Sequence, residues 1–420
     1  MRIWWVNQFA VPPSEAGGTR HFTLVRELID RGHDVTIVAS SFNYLTREKA
    51  SQGRSRACFE KVVDGVPFVW LRAPAYRQNS FSRLWNMIVF SGRLWTNRGV
   101  RGRARPDLII GSSPHLLAAF AAARLAKRFR VPFVLEVRDL WPQTLIDFGK
   151  ASPRHPLVRI LESIERYLYR SASRIITLLP GAAEYITTKC SGAADKIVWI
   201  PNGVDFSLFP SLRSVAEDGV FTVMYAGSHG TANGLDSIVD TAAILQEKTV
   251  QEETVQETEA GRVEFRLIGG GPEKSRLRRR TEKEGIRNVR FDGPMPKNQM
   301  YRAMLEADAF IVTLRDCALY RWGMSLNKLF DYLAMGRPVV FGADLVENPV
   351  TAAGAGITVP PEDSRAMADA VASLRAMSEG ERSEMGRRGR DYVEQNHDLR
   401  GSAATLEEML EQALGTVLSS

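Results

Sequence analysis

The sequence predicts an α/β protein of two similar halves, each a parallel sheet flanked by helices. Three observations predict it. At 420 residues the chain is too long for one ordinary hydrophobic core. Apolar strand-like runs alternate with amphipathic helical stretches almost throughout. The alternation then restarts after a Pro-Asn-Gly break near the middle of the chain.

In the first half, strands are predicted at residues 2–7, 34–39, 107–112, 133–137, 174–179 and 197–200. Helices fall between them, among them 18–31 and 114–129. The segment Ile200-Pro201-Asn202-Gly203-Val204-Asp205 breaks regular structure and suits a hinge. A second series follows, with strands at 221–226, 264–268, 289–291, 309–313 and 338–341. The domains expected are 1–201 and 202–401, with a last helix at about 402–420 grouped with the first. Two such halves leave a cleft between the carboxyl ends of their sheets, where ligands of this architecture bind.

Composition narrows the classes. A hydrophobic fraction of 44% and a charged fraction of 25% are those of a soluble globular chain. The three cysteines, Cys58, Cys190 and Cys317, lie far apart without metal-ligand spacing, which argues against a disulfide framework or zinc site. The start of the chain reads as a buried strand, not as a signal peptide, and no apolar run is long enough to span a membrane. A cytoplasmic protein is expected, at most peripheral on the inner face of the cytoplasmic membrane. The net charge of +7 favours anionic partners or is ordinary solubilising charge. Nucleic acid is not expected, because no zinc-finger spacing or aromatic RNA-binding signature occurs.

Two stretches break the rhythm. Residues 249–253 and 254–258 are a polar near-duplication that reads as a helix extension or loop. In residues 80–105, Phe81, Trp85, Ile88, Val89, Phe90 and Trp95 interleave with arginines. That composition suits either a helix at an anionic bilayer surface or a core-facing helix with a solvated basic loop.

Glycine loops follow several strands. Gly17-Gly18 precedes the first long helix, Gly227-Ser228-His229-Gly230 follows the first strand of the second half with Asn233 just beyond, and Gly269-Gly270-Gly271 follows its second strand. Such loops let a phosphate approach the backbone, and a helix start offers it free N–H groups. The spacing does not match Gly-x-Gly-x-x-Gly, so a nicotinamide cofactor is not expected. In Gly323–Val340, Ser325 or Asn327 is a candidate helix cap and Gly336 a helix stop. Lys328 then sits in the first turn, where the dipole disfavours a cation unless an anion is bound. Asp331 shares its face at i+3. The pair reads either as a cation for phosphate beside a carboxylate for vicinal hydroxyls, or as a plain exposed ion pair.

Taken in order, Gly17-Gly18, Glu136–Pro142, Pro201–Asp205, Tyr225-Ala226-Gly227, Gly269–Pro272, Phe291-Asp292-Gly293 and Asn327–Pro338 resemble family 4 glycosyltransferases of the GT-B fold. Within them the likeness is to the bacterial O-antigen N-acetylfucosaminyl transferases. The resemblance implies two Rossmann-like domains facing each other across a cleft, an N-terminal one for the acceptor and a C-terminal one for a nucleotide-sugar donor. It implies that Gly17 and Gly18 approach the diphosphate or acceptor. Lys328 and the backbone of Ser325, Leu326 and Asn327 would hold the diphosphate, beside the loop residues Gly227, Ser228, His229, Asn233 and Gly270. Asp331 would match the second glutamate of the family's Glu-x7-Glu pattern and bind the ribose; Phe291, Gly293 and Met295 would border the base. Arg138, Asp139 and Glu136 would face the reacting sugar and acceptor.

Two departures stand out. The first glutamate of Glu-x7-Glu falls at Gly323, and the family's Arg and Lys after the first strand of the second domain are absent, with Ser228, His229 and Asn233 there. No Asp-x-Asp motif occurs, so neither a metal nor a resident cofactor is expected. The leaving diphosphate would be met by N–H dipoles and lysine instead. The family implies retention, and attack from the donor's own face is expected because no convincing nucleophile is present. Neither His115 nor His229 reads as a catalytic base. The expected partners are a UDP-linked amino or deoxy sugar and a glycan or polyprenyl-linked acceptor in surface polysaccharide synthesis. A sugar-nucleotide epimerase of the same fold and a non-catalytic, membrane-docked assembly component are the alternatives.

Overall fold

The structure, a computed structural model, describes the chain except for residues 16, 44–57, 77–80, 97–99, 101, 212–218, 254–261, 346 and 419–420. Strands β1 (Arg2–Val6), β2 (Asp34–Ser40), β3 (Cys58–Val63), β4 (Val66–Leu71), β5 (Leu108–Ser112), β6 (Phe133–Val137), β7 (Arg174–Thr177) and β8 (Ile197–Trp199) form the first sheet. Their order is β3-β4-β2-β1-β5-β6-β7-β8. Neighbours are parallel apart from the β3–β4 pair, which is antiparallel. Strands β9 (Val220–Ala226), β10 (Arg262–Ile268), β11 (Val289–Asp292), β12 (Ala309–Thr313), β13 (Val339–Gly342) and β14 (Gly356–Val359) form the second, all parallel, in the order β11-β10-β9-β12-β13-β14.

Helices on both faces bury these strands, which is why β5, β6 and β12 are mostly apolar, with Glu136 the one charge among them, and are buried at every position. The chain crosses between lobes twice at one place. Val204 donates to His397 O (2.8 Å) and accepts from Leu399 N (3.1 Å), a short bridge joining the outgoing and returning segments. The last helix, Leu399–Leu418, then packs on the first lobe, adding Leu406, Met409 and Leu410 to its core.

The elements differ from the sequence expectation in detail. The β3–β4 hairpin and β14 were not anticipated. The first long helix spans Arg20–Asp30 and starts beyond Gly18, while the helix expected at 114–129 begins at Leu116, past the Pro114-His115 bend. In the near-duplication, 249–253 closes the helix Leu235–Glu253; the second copy lies outside the described residues. Within 80–105 a helix spans Phe81–Trp95. It has two apolar sides: Phe90 and Leu94 enter the core, whereas Phe81 and Trp85 are 90% and 57% exposed.

Candidate active site between the lobes

In each sheet the chain winds outward in both directions from one strand. β1 lies between β2 and β5, and β9 between β10 and β12. A crevice opens at the carboxyl end of such a strand because the following loops turn to opposite sides. Gly17-Gly18 lies after β1, and Gly227-Ser228 after β9. A Cβ added to Gly18 would stand 3.6 Å from Asn327 Nδ2, so the first loop abuts the start of a helix in the opposite lobe. Between them is a cavity of about 320 Å³.

That helix, Asn327–Ala334, forms the cavity's far wall. Its N-cap is Leu326 and no side chain caps it, so Ser325 and Asn327 do not act as the caps expected from sequence. Its first N–H groups therefore keep no side-chain partner and are available to an anion. Lys328 Nζ donates to Tyr225 Oη and to Asn233 Oδ1, each at 2.6 Å. Burial lowers its pKa to about 7. Asp331, almost fully buried, accepts from Lys297 Nζ (2.5 Å) and Tyr301 Oη (2.7 Å). Lys328 and Asp331 thus have separate partners, and the exposed i,i+3 ion pair is excluded. Lys297 also lines the cavity, giving it two cations beside one carboxylate.

The glycine loops lie backbone to backbone. Gly269 has φ +145°, and a Cβ there would come within 1.9 Å of Gly227 O; at Gly271 it would come within 2.4 Å of His229 O. Only glycine permits this stacking. His229 N donates to Gly270 O (2.9 Å), which locks the two loops together.

On the opposite lobe, Glu136, next to last in β6, is fully buried. It accepts from Arg20 Nε (3.1 Å) and Ser112 Oγ (2.6 Å), and His21 Nε2 lies 2.8 Å away. Burial alone would raise its pKa, but His21 and Arg20 hold the carboxyl below the usual range. Arg20 also donates to the carbonyls of Pro201 and Ile200, tying this network to the crossover. Arg138 and Asp139 follow on the loop, where Ser113 Oγ accepts from Arg138 N (2.8 Å). His115 is buried at the start of Leu116–Phe129, and burial with Arg83 nearby lowers its pKa to about 3.

Of the residues singled out from sequence, the structure brings Gly17, Gly18, Gly227, Ser228, Gly270, Met295, Ser325, Leu326, Asn327, Lys328 and Asp331 together around the cavity. Others stand apart from its wall. His229 is buried behind the loop, packed near Tyr225 and Phe291, with its pKa lowered to about 4 by burial and the charges of Lys274 and Lys328. Asn233 acts through Lys328, and its Nδ2 donates to Ser228 O (2.8 Å). Phe291 and Gly293 precede the lining residues Pro294 and Met295 without lining the cavity themselves. Glu136, placed with the catalytic residues from sequence, is enclosed in the Arg20 network and presents no oxygen to the cleft; Arg138 and Asp139 also lie off the cavity wall. Lys297 and Tyr301 were missed. Their only signal was a Pro-Lys helix start after β11.

Two Rossmann-like domains with a cleft lined by glycine loops and lysines define the GT-B class. Residues 17–203 match the Glycosyl transferase 4-like domain and residues 220–376 match Glycosyl transferases group 1. The chain belongs to the family 4 glycosyltransferases of the GT-B fold. It is 22% identical over 372 residues to the "Putative colanic acid biosynthesis glycosyl transferase WcaI" of Escherichia coli (strain K12); 84% of this chain and 86% of that one are covered. Sucrose-phosphate synthase from Thermosynechococcus elongatus superposes with a TM-score of 0.74 at 16% identity, covering 99% of each chain. Anabaena HepE in complex with UDP and glucose gives 0.64 at 15% identity, covering 98% of this chain and 99% of that one.

Proposed function

We propose that the chain transfers an amino or deoxy sugar, of the N-acetylfucosamine kind, from UDP to a glycan or polyprenyl-linked acceptor in bacterial surface polysaccharide synthesis. One observation carries this reading: Lys297, Lys328 and Asp331 share a cavity with Gly17 and Gly18 of the other lobe. The diphosphate meets both lysines and the uncapped start of Asn327–Ala334, while Asp331 accepts from the ribose hydroxyls. The UDP complex of HepE and the colanic acid assignment of WcaI support the nucleotide and the pathway class. Thermal shift with UDP, GDP, dTDP and ADP is the first test; UDP raises the melting temperature most, and no response to any of the four refutes the reading.

Transfer proceeds with retention, the donor phosphate taking the acceptor proton on the face it leaves, near Arg138 and Asp139. NMR of the product's anomeric proton checks this; an inverted linkage overturns it. The cations in the cavity meet the leaving charge in place of a metal, so transfer persists in EDTA. An epimerase would instead alter the donor without acceptor. The exposed Phe81, Trp85 and Ile88 on one helix support a peripheral seat at the inner membrane surface. Trp85→Glu with Ile88→Glu should abolish co-sedimentation with anionic vesicles; unchanged binding removes the helix from that role.

A further inference from the structure

A second groove separates the lobes beyond the donor cavity. Beside it, Gly181 N donates to Trp322 O (3.0 Å) and Pro180, which lines this groove, packs on Gly323, joining the lobes. The groove, beside the β7–β8 edge of one sheet and the β13–β14 edge of the other, holds a cavity of about 570 Å³, larger than the donor cavity. Both lobes line it. Trp199 comes from the first, and Asp344, Glu347, Thr358 and Tyr392 from the second.

Its chemistry is the reverse of the donor site's. The described lining has two carboxylates and no lysine or arginine, in a protein of net charge +7. Phosphate groups are therefore disfavoured there. Trp199 is 50% exposed, and its indole N–H donates to Leu178 O (3.3 Å), which fixes the ring's edge to the first lobe. A fixed, half-exposed tryptophan attracts cations and apolar ring faces, and carboxylates accept from ammonium and hydroxyl groups.

We propose that this groove binds an amine-bearing saccharide, its ring against Trp199 and its ammonium held by Asp344 and Glu347. The saccharide class rests on the transferase reading; the groove and its charge do not. The two cavities share one segment of the second lobe. Met324 and Phe330 line the groove, whereas Ser325–Lys328 and Asp331 line the donor cavity.

Calorimetry on the full chain at mildly acidic pH tests this with chitobiose as the free diamine, N,N′-diacetylchitobiose and spermidine, with UDP titrated separately. Chitobiose binds about tenfold tighter than either other probe, and Trp199→Ala and Asp344→Asn/Glu347→Gln each weaken it about tenfold. Both variants bind UDP as the parent does, which reports an intact fold. No chitobiose binding, equal binding of spermidine, or indifference to both variants overturns the proposal. If UDP fails to bind the parent while chitobiose binds as described, the donor reading falls and the groove stands.

Discussion

Lys328 makes the donor reading quantitative. Its ammonium is held by two neutral oxygens, and burial lowers its pKa to about 7. A bound diphosphate restores the charged form, so UDP binding takes up a proton as pH rises. Between pH 7 and 8.5 the protonated fraction in the free protein falls from about one half to about 3%, so UDP affinity should fall roughly 15-fold. The terminal phosphate of UDP titrates near pH 6, below this window. Calorimetry in buffers of different ionisation enthalpy should count about half a proton taken up at pH 7 and about one at pH 8.5. Lys328→Met removes a charge-assisted bond worth about 1.5–3 kcal/mol, weakening UDP about 10- to 150-fold and flattening the profile. Stability carries the same signature with a defined sign. The folded pKa lies below the unfolded 10.5, so the unfolded chain binds more protons and ligand-free stability rises with pH from about 7 to 10.5. A flat UDP profile in the parent, or unchanged UDP affinity in Lys328→Met, refutes the reasoning.

Three other perturbations separate nucleotide recognition from scaffold. Asp331→Asn should weaken UDP about tenfold without weakening inorganic pyrophosphate, measured by calorimetry, because its carboxylate serves the ribose and its loss releases Lys297 to the diphosphate. Gly269→Ala places a methyl group 1.9 Å from Gly227 O at φ +145°, and should cost at least about 2 kcal/mol in urea unfolding while abolishing UDP binding. Glu136→Gln breaks a buried ion pair with Arg20 and should cost about 3–5 kcal/mol of stability, read from the urea midpoint. A Glu136→Gln protein of unchanged stability that had lost transfer would restore Glu136 to the chemistry.

Much of the fold was legible because parallel strands buried on both faces write mostly apolar runs of the right length, as β5, β6 and β12 do. The β3–β4 hairpin was not, since Glu60 and Lys61 interrupt its first strand and its exposed edge carries little apolar signal. The site was legible where the backbone makes it: glycine loops and a helix start are local features. The side-chain partners were not. Lys297 and Tyr301 reach Asp331 from another helix, and Tyr225 and Asn233 hold Lys328 from β9 and its loop. Sequence spacing places Lys328 and Asp331 on one face but is silent about which groups the fold brings to each. For the same reason Glu136 read as a cleft residue, although three residues distant in sequence enclose it.

The missing first glutamate of Glu-x7-Glu has a steric cause. Gly323 has φ +81°, and a Cβ there would stand 2.5 Å from Pro180 Cγ in the other lobe. Next to it, Trp322 O accepts from Gly181 N. Two residues on, Ser325 O accepts from Asn202 Nδ2 (2.9 Å) while Ser325 lines the donor cavity. Interlobe contact and donor contact therefore occupy one continuous stretch, and in this arrangement of the lobes a carboxylate at 323 and the Pro180 contact exclude each other. On the proposed reading, Lys328 and Asp331, beyond the stretch, still serve the diphosphate and ribose. What departs is the end of the pattern that would touch the sugar. On that reading, the lobe contact at Pro180 stands where a sugar-contacting glutamate would, so discrimination among donor sugars falls to groups other than residue 323.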